Sequence, residues 1–88
     1  MNTGAWTTYD SNLSKERMDL FQKATKDLMG VNYQPIAVAT QVVSGTNYSY
    51  FCNATITNQS QDTYTAMVDL HQQPDGTVHL TEIRRIQP

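Results

Sequence analysis

The chain has a single cysteine, Cys52, among 88 residues. One thiol closes no internal disulfide, so the fold stands without covalent staples. No apolar run approaches the roughly 20 residues that a bilayer-spanning helix needs, and no basic segment followed by a hydrophobic one opens the chain. Positive charge is scarce as well. Six Lys and Arg stand against eight Asp and Glu for a formal net charge of −2, and the adjacent Arg84 and Arg85 are too few to hold a nucleic acid. These absences exclude membrane-spanning and nucleic-acid-binding classes and lead us to expect a soluble, cytoplasmic protein. A secreted protein whose leader has been removed is the alternative. On that route the Asn-x-Ser/Thr triplets at Asn12, Asn47, Asn53 and Asn58 would matter; in a chain this rich in Asn, Ser and Thr, chance accounts for them. Paired carboxylates, a phosphate-cradling glycine loop and a closed metal-ligand set are missing too, so the expectation is no enzyme and no cofactor.

What is there fits one domain of one helix layer on one sheet. Residues 1–12 are polar apart from Ala5, Trp6 and Tyr9 and read as an N-terminal arm, flexible or extended; residues 13–88 form the single domain. Leu13, Leu20, Phe21, Ala24 and Leu28 recur at helical spacing, which predicts an amphipathic helix of about four turns. Ser11 or Ser14 can cap its start, and Gly30 stands where a left-handed C-terminal cap belongs, which places the end at Met29 or Gly30.

After Pro35 the period changes to two. Ile36, Val38, Thr40 and Val42 alternate with Ala37, Ala39, Gln41 and Val43 as a first strand. A second puts Tyr48, Tyr50, Cys52, Ala54 and Ile56 on one face and assigns Asn47, Ser49, Asn53 and Thr55 to solvent. The polar residues 57–63 form a loop, and a third strand turns Tyr64, Ala66, Val68 and Leu70 inward. Pro74-Asp75-Gly76 closes a second hairpin. In the last strand Val78 and Leu80 are out of phase with Ile83 and Ile86, which predicts a β-bulge near Thr81 and Glu82. The order is α+β: one α-helix packed on an antiparallel β-sheet of four to five strands, the fifth supplied by the arm.

The first hairpin tip, Gln41-Val42-Val43-Ser44-Gly45, is the most informative stretch. Two β-branched valines stiffen the strand, and Gly45 admits the positive φ of a tight bend. Val42 and Val43 cannot both point inward, so one apolar side chain is exposed near the tip. The stretch, with its continuation Thr46-Asn47-Tyr48, resembles the Q-x-V-x-G hairpin of the cystatin family of cysteine-protease inhibitors. The resemblance spans nearly the whole chain, from Gly4 through the helix and both hairpins to the last strand. It implies a cystatin-like fold and a reversible, non-covalent inhibitor of papain-like cysteine proteases. The wedge filling the protease cleft would comprise an N-terminal segment (Gly4, Ala5, Trp6), the first hairpin (Gln41, Val42, Val43, Ser44, Gly45) and the second (Gln73, Pro74). Many secreted cystatins carry Trp after the second-hairpin Pro, where this chain has Asp75-Gly76, and the secreted class has disulfides. The chain is therefore closer to the stefin or plant types, whose plant members have a Gly-Gly-Trp start similar to Gly4-Ala5-Trp6.

Other readings stay open at this stage. The same edge could serve as a non-inhibitory binding module for another protein. Cystatin-like proteins also exchange helix and first strand between protomers, so the expected monomer has a domain-swapped dimer beside it. Cys52 with His71 or His79 as base is a conceivable nucleophile, though its strand phase marks it as a core thiol. His71 and His79, opposite each other in the second hairpin with Asp69 two residues away, suggest a divalent metal site, against the plainer reading of surface histidines.

Overall fold

The computed structural model describes residues 4–58 and 62–86; the first three residues of the arm and part of the loop over residues 57–63 lie outside this range. One helix, α1 (Lys15–Thr25), precedes four strands: β1 (Val31–Val43), β2 (Gly45–Ile56), β3 (Thr63–Gln72) and β4 (Val78–Ile86). The strands pair antiparallel in sequence order, β1-β2-β3-β4. The expected helix-on-sheet architecture is thus observed with four strands. The arm adds two isolated bridges to the free side of β1, Trp6 with Gln41 and Asp10 with Val38.

Ser14 caps α1, its hydroxyl accepting from the Arg17 amide. The helix is shorter than its apolar spacing predicts. It ends at Thr25, whose hydroxyl donates back to the Phe21 carbonyl (2.8 Å), and the Leu28 amide closes one further turn onto the Thr25 carbonyl. Leu28 continues the periodicity beyond the last helical hydrogen bonds, and that misleads the eye. Gly30 does have positive φ (+86°), but there the chain swings from the turn into β1, with its carbonyl accepting from the Thr57 amide.

The side of the sheet under α1 holds the core. Val38, Tyr50, Cys52, Val68 and Leu70 meet Phe21 there, with Leu13, Leu20, Ala24, Tyr48, Leu80 and Ile83 packed around them. The Phe21 and Tyr50 rings lie 4.9 Å apart, and the buried Tyr50 hydroxyl donates to the Arg17 carbonyl (2.7 Å), tying helix to sheet. The inward phases read for the second and third strands match this face. β1, however, starts at Val31 rather than after Pro35 and runs through that proline. Pro35 pairs with Cys52 and Ala37 with Phe51, which leaves Ile36 as an extra, half-exposed residue. An imino acid without an N–H is tolerated there because β1 is the border strand of the sheet and, among the described residues, none pairs with its outer side along this stretch. On β4 the bulge falls where expected: Asp69 faces Glu82 and Leu70 faces Leu80, with Thr81 interposed.

The opposite, outer face departs from the simple alternation. Ser49, assigned to solvent by its phase, is 3 % exposed. The arm covers it, and the Tyr9 and Ser49 hydroxyls share a hydrogen bond of 3.1 Å. Alternation describes a strand's own two faces and carries no information about a segment 40 residues away that lies over one of them.

Candidate binding edge

Thirteen residues of β1 extend about 40 Å at the usual strand rise, close to the longest dimension of the molecule, 47 Å. The antiparallel order therefore sends both hairpin tips to one end. The β2–β3 connection and the α1–β1 junction lie at the other, where Gly30 meets Thr57.

At the hairpin end the first tip is a minimal bend. Val43 and Gly45 face each other across Ser44, and Gly45 has φ +93°. A Cβ at Gly45 would lie inside van der Waals distance of the Gln72 carbonyl oxygen, so the glycine serves both the turn and the close approach of β3. Val42 and Val43 are each 38 % exposed. The second tip is a β-turn followed by a glycine bulge. The Gly76 amide donates to the Gln73 carbonyl (2.8 Å) around Pro74 and Asp75, Gly76 takes φ +94°, and the Gln73 amide then donates to the Thr77 carbonyl. The Asp75 carboxylate accepts from the Thr77 amide at 2.9 Å, and that bond holds its pKa below the ordinary carboxylate value.

Gly4, Ala5 and Trp6 join the same end. The Gly4 amide donates to the Val42 carbonyl and the Thr7 amide to the Thr40 carbonyl, each at 2.9 Å. The Thr40 amide in turn donates to the Thr7 hydroxyl. Trp6 pairs with Gln41 and is about half exposed. The residues 4–6, 41–45 and 73–74 that the sequence singles out are thus gathered at one end of the long axis.

Asn47 and His71 stand behind this edge in a role that the sequence did not suggest for either, bracing the first tip. The Gln41 amide nitrogen donates to the Gly4 carbonyl (2.8 Å), and its oxygen accepts from the Asn47 amide nitrogen (2.8 Å). Asn47 oxygen Oδ1 lies 2.6 Å from His71 Nδ1. Asn47 follows the solvent phase of its strand, yet it is half-buried and occupied at both ends. Only the cross-strand register Gln41–Asn47–His71–His79 could have revealed this row.

The chemical alternatives fare differently. Cys52 is fully buried on the helix side, with its thiol pushed up to about 12 by burial, whereas His71 and His79 stand in the outer-face row. The thiol therefore has no base beside it and remains protonated at neutral pH. His71 and His79 do face each other, with ring centroids 5.7 Å apart. Asp69, the third member of the metal reading, is held by both carboxylate oxygens on Arg84 (2.9 and 3.2 Å), and His71 Nδ1 is taken by Asn47. Among the described residues no group of three or more His, Cys, Asp and Glu is placed to hold a metal ion.

One helix laid on an antiparallel sheet, with an N-terminal segment and two hairpin tips at one end, is the cystatin fold. A crystal structure of a salivary cystatin from the soft tick Ornithodoros moubata superposes with a TM-score of 0.72 over 98 % of this chain and 100 % of that one, at 16 % sequence identity. No family model and no curated protein matches the sequence. At that identity the likeness establishes the fold.

Proposed function

We propose that this protein is a reversible, non-covalent inhibitor of papain-like cysteine proteases, occluding the active-site cleft with Gly4, Ala5, Trp6, the first hairpin tip and Gln73-Pro74. The observation that carries this reading is the convergence of the three segments at one end, with Val42 and Val43 exposed on the narrow first tip. The fold shared with a tick salivary cystatin supports it. Both tips are stiff before any partner arrives: a one-residue bend in the first, and a proline-led, hydrogen-bonded turn in the second. Rigidity lowers the entropy lost on docking. No covalent step is involved, since binding alone excludes substrate.

Titrating active papain with the folded protein tests the reading. A stoichiometric loss of activity is expected, and full activity at micromolar inhibitor would rule the proposal out.

A second reading is favoured by one observation. The second tip carries Asp75 and Gly76 after its proline, with no aromatic side chain to anchor an interface. Under that reading the edge is a non-inhibitory binding module for another protein. Replacing Gly45 with a bulky residue separates the two, because inhibition collapses under the first and is absent from the start under the second.

A further inference from the structure

The hydrogen bonds behind the edge form a chain whose direction follows from chemistry alone. The Gly4 carbonyl can only accept, so Gln41 must present its NH₂ group to it and its oxygen to Asn47. Asn47 must then donate to that oxygen, which turns Oδ1 toward His71. His71 Nδ1 therefore carries a proton and donates it. The flip of both amides and the tautomer of the imidazole follow from one backbone carbonyl. The chain reads His71 to Asn47 to Gln41 to Gly4 and crosses from β3 through β2 and β1 to the arm. It begins one residue before Gln72, whose carbonyl packs on Gly45, and two before Gln73 of the second tip.

We propose that Asn47 is the positioning residue of the binding edge: its amide, donating to Gln41 and accepting from His71, locks the N-terminal segment to both hairpins before a partner arrives. Asn47 need not touch the partner. Bonds in one line polarise each other, so loss of the central link weakens those on either side. The Gln41 side-chain amide, engaged at both ends within the molecule, braces the tip from behind, while the residue keeps its place in the binding edge. The consequence for protease binding rests on the inhibitor reading; the locking of the segment does not.

Two variants test the direction of the chain. Asn47→Ala removes both links. Asn47→Asp keeps an acceptor for His71 but has no proton for Gln41. Amide hydrogen exchange without protease should show Gly4 and Thr7 exchanging about tenfold faster in both variants, with Tyr50 and Val68 unchanged. Nitrogen NMR of His71 should show the Nδ1-protonated tautomer in the wild type and in Asn47→Asp, and its loss in Asn47→Ala. With papain, both variants should dissociate about tenfold faster at nearly unchanged association rate. Unaltered exchange at Gly4 and Thr7 in both variants would overturn the proposal, as would a wild-type His71 protonated on Nε2. A wild-type protein that fails to inhibit papain while the variants still loosen Gly4 would overturn the inhibitor reading and support the positioning role.

Discussion

Cys52 and the tyrosines around it make the core sensitive to base. Burial pushes the Cys52 thiol from 9.0 up to about 12, and burial together with Tyr64 takes Tyr33 from 10.0 to about 12. Tyr50 is raised further, chiefly by burial. In each case the unfolded chain gives up its proton at a lower pH than the folded one, so above about pH 9 the unfolded state binds fewer protons and stability falls as pH rises. The two fully buried groups, Cys52 and Tyr50, each contribute a loss on the order of 1 kcal/mol per pH unit within their own windows, and partly exposed Tyr33, screened by solvent, contributes less. Urea midpoints should therefore drop steadily between pH 9 and 12, and the decline should be shallower in Cys52→Ala, measured against its own value at pH 7. A flat profile in the wild type would contradict this. That Cys52 is a core residue was legible from strand phase. That Ser49 is buried and Asn47 occupied was not, because both depend on partners from other parts of the chain: Tyr9 for the first, Gln41 and His71 for the second.

Among the elements, the first hairpin is the most constrained, through Gly45. Any side chain there must adopt a positive φ and also meet the Gln72 carbonyl. Strain of this kind costs on the order of 1–3 kcal/mol before the clash is counted. Thermal unfolding of Gly45→Ala should accordingly show a loss of about 2 kcal/mol or more, whereas Gly76→Ala, whose added Cβ meets nothing, should lose only the smaller cost of its backbone conformation. Equal losses for the two would indicate that the approach of β3 to the first tip has no energetic weight. The elements differ in how far they could be read from sequence. β2 and β3 each bury one clean alternating face, and Pro-Asp-Gly spells its own turn, so both were evident. The helix end was not, since Leu28 keeps the apolar rhythm after the helical hydrogen bonds stop. The start of β1 was hidden by Pro35, which a border strand accommodates at its bulge.

For the whole molecule the long β1–β2 pairing suggests a route to dimers. Its only internal connection is the bend at Ser44, and the arm, α1 and β1 lie on one side of it. If that bend straightens, the same pairings can form between two copies. Brief heating at high concentration should give a species of twice the mass in light scattering, which returns slowly to monomer on dilution; only monomer at every concentration after heating would exclude the exchange. Simple edge-to-edge growth is another matter. The two outermost strands of the sheet, β1 and β4, each carry an extra residue, Ile36 and Thr81, that interrupts the register, and the arm occupies part of the β1 border besides. Among the described residues neither border offers an unbroken row of backbone groups for a further strand, an arrangement that disfavours edge-to-edge stacking of the folded protein.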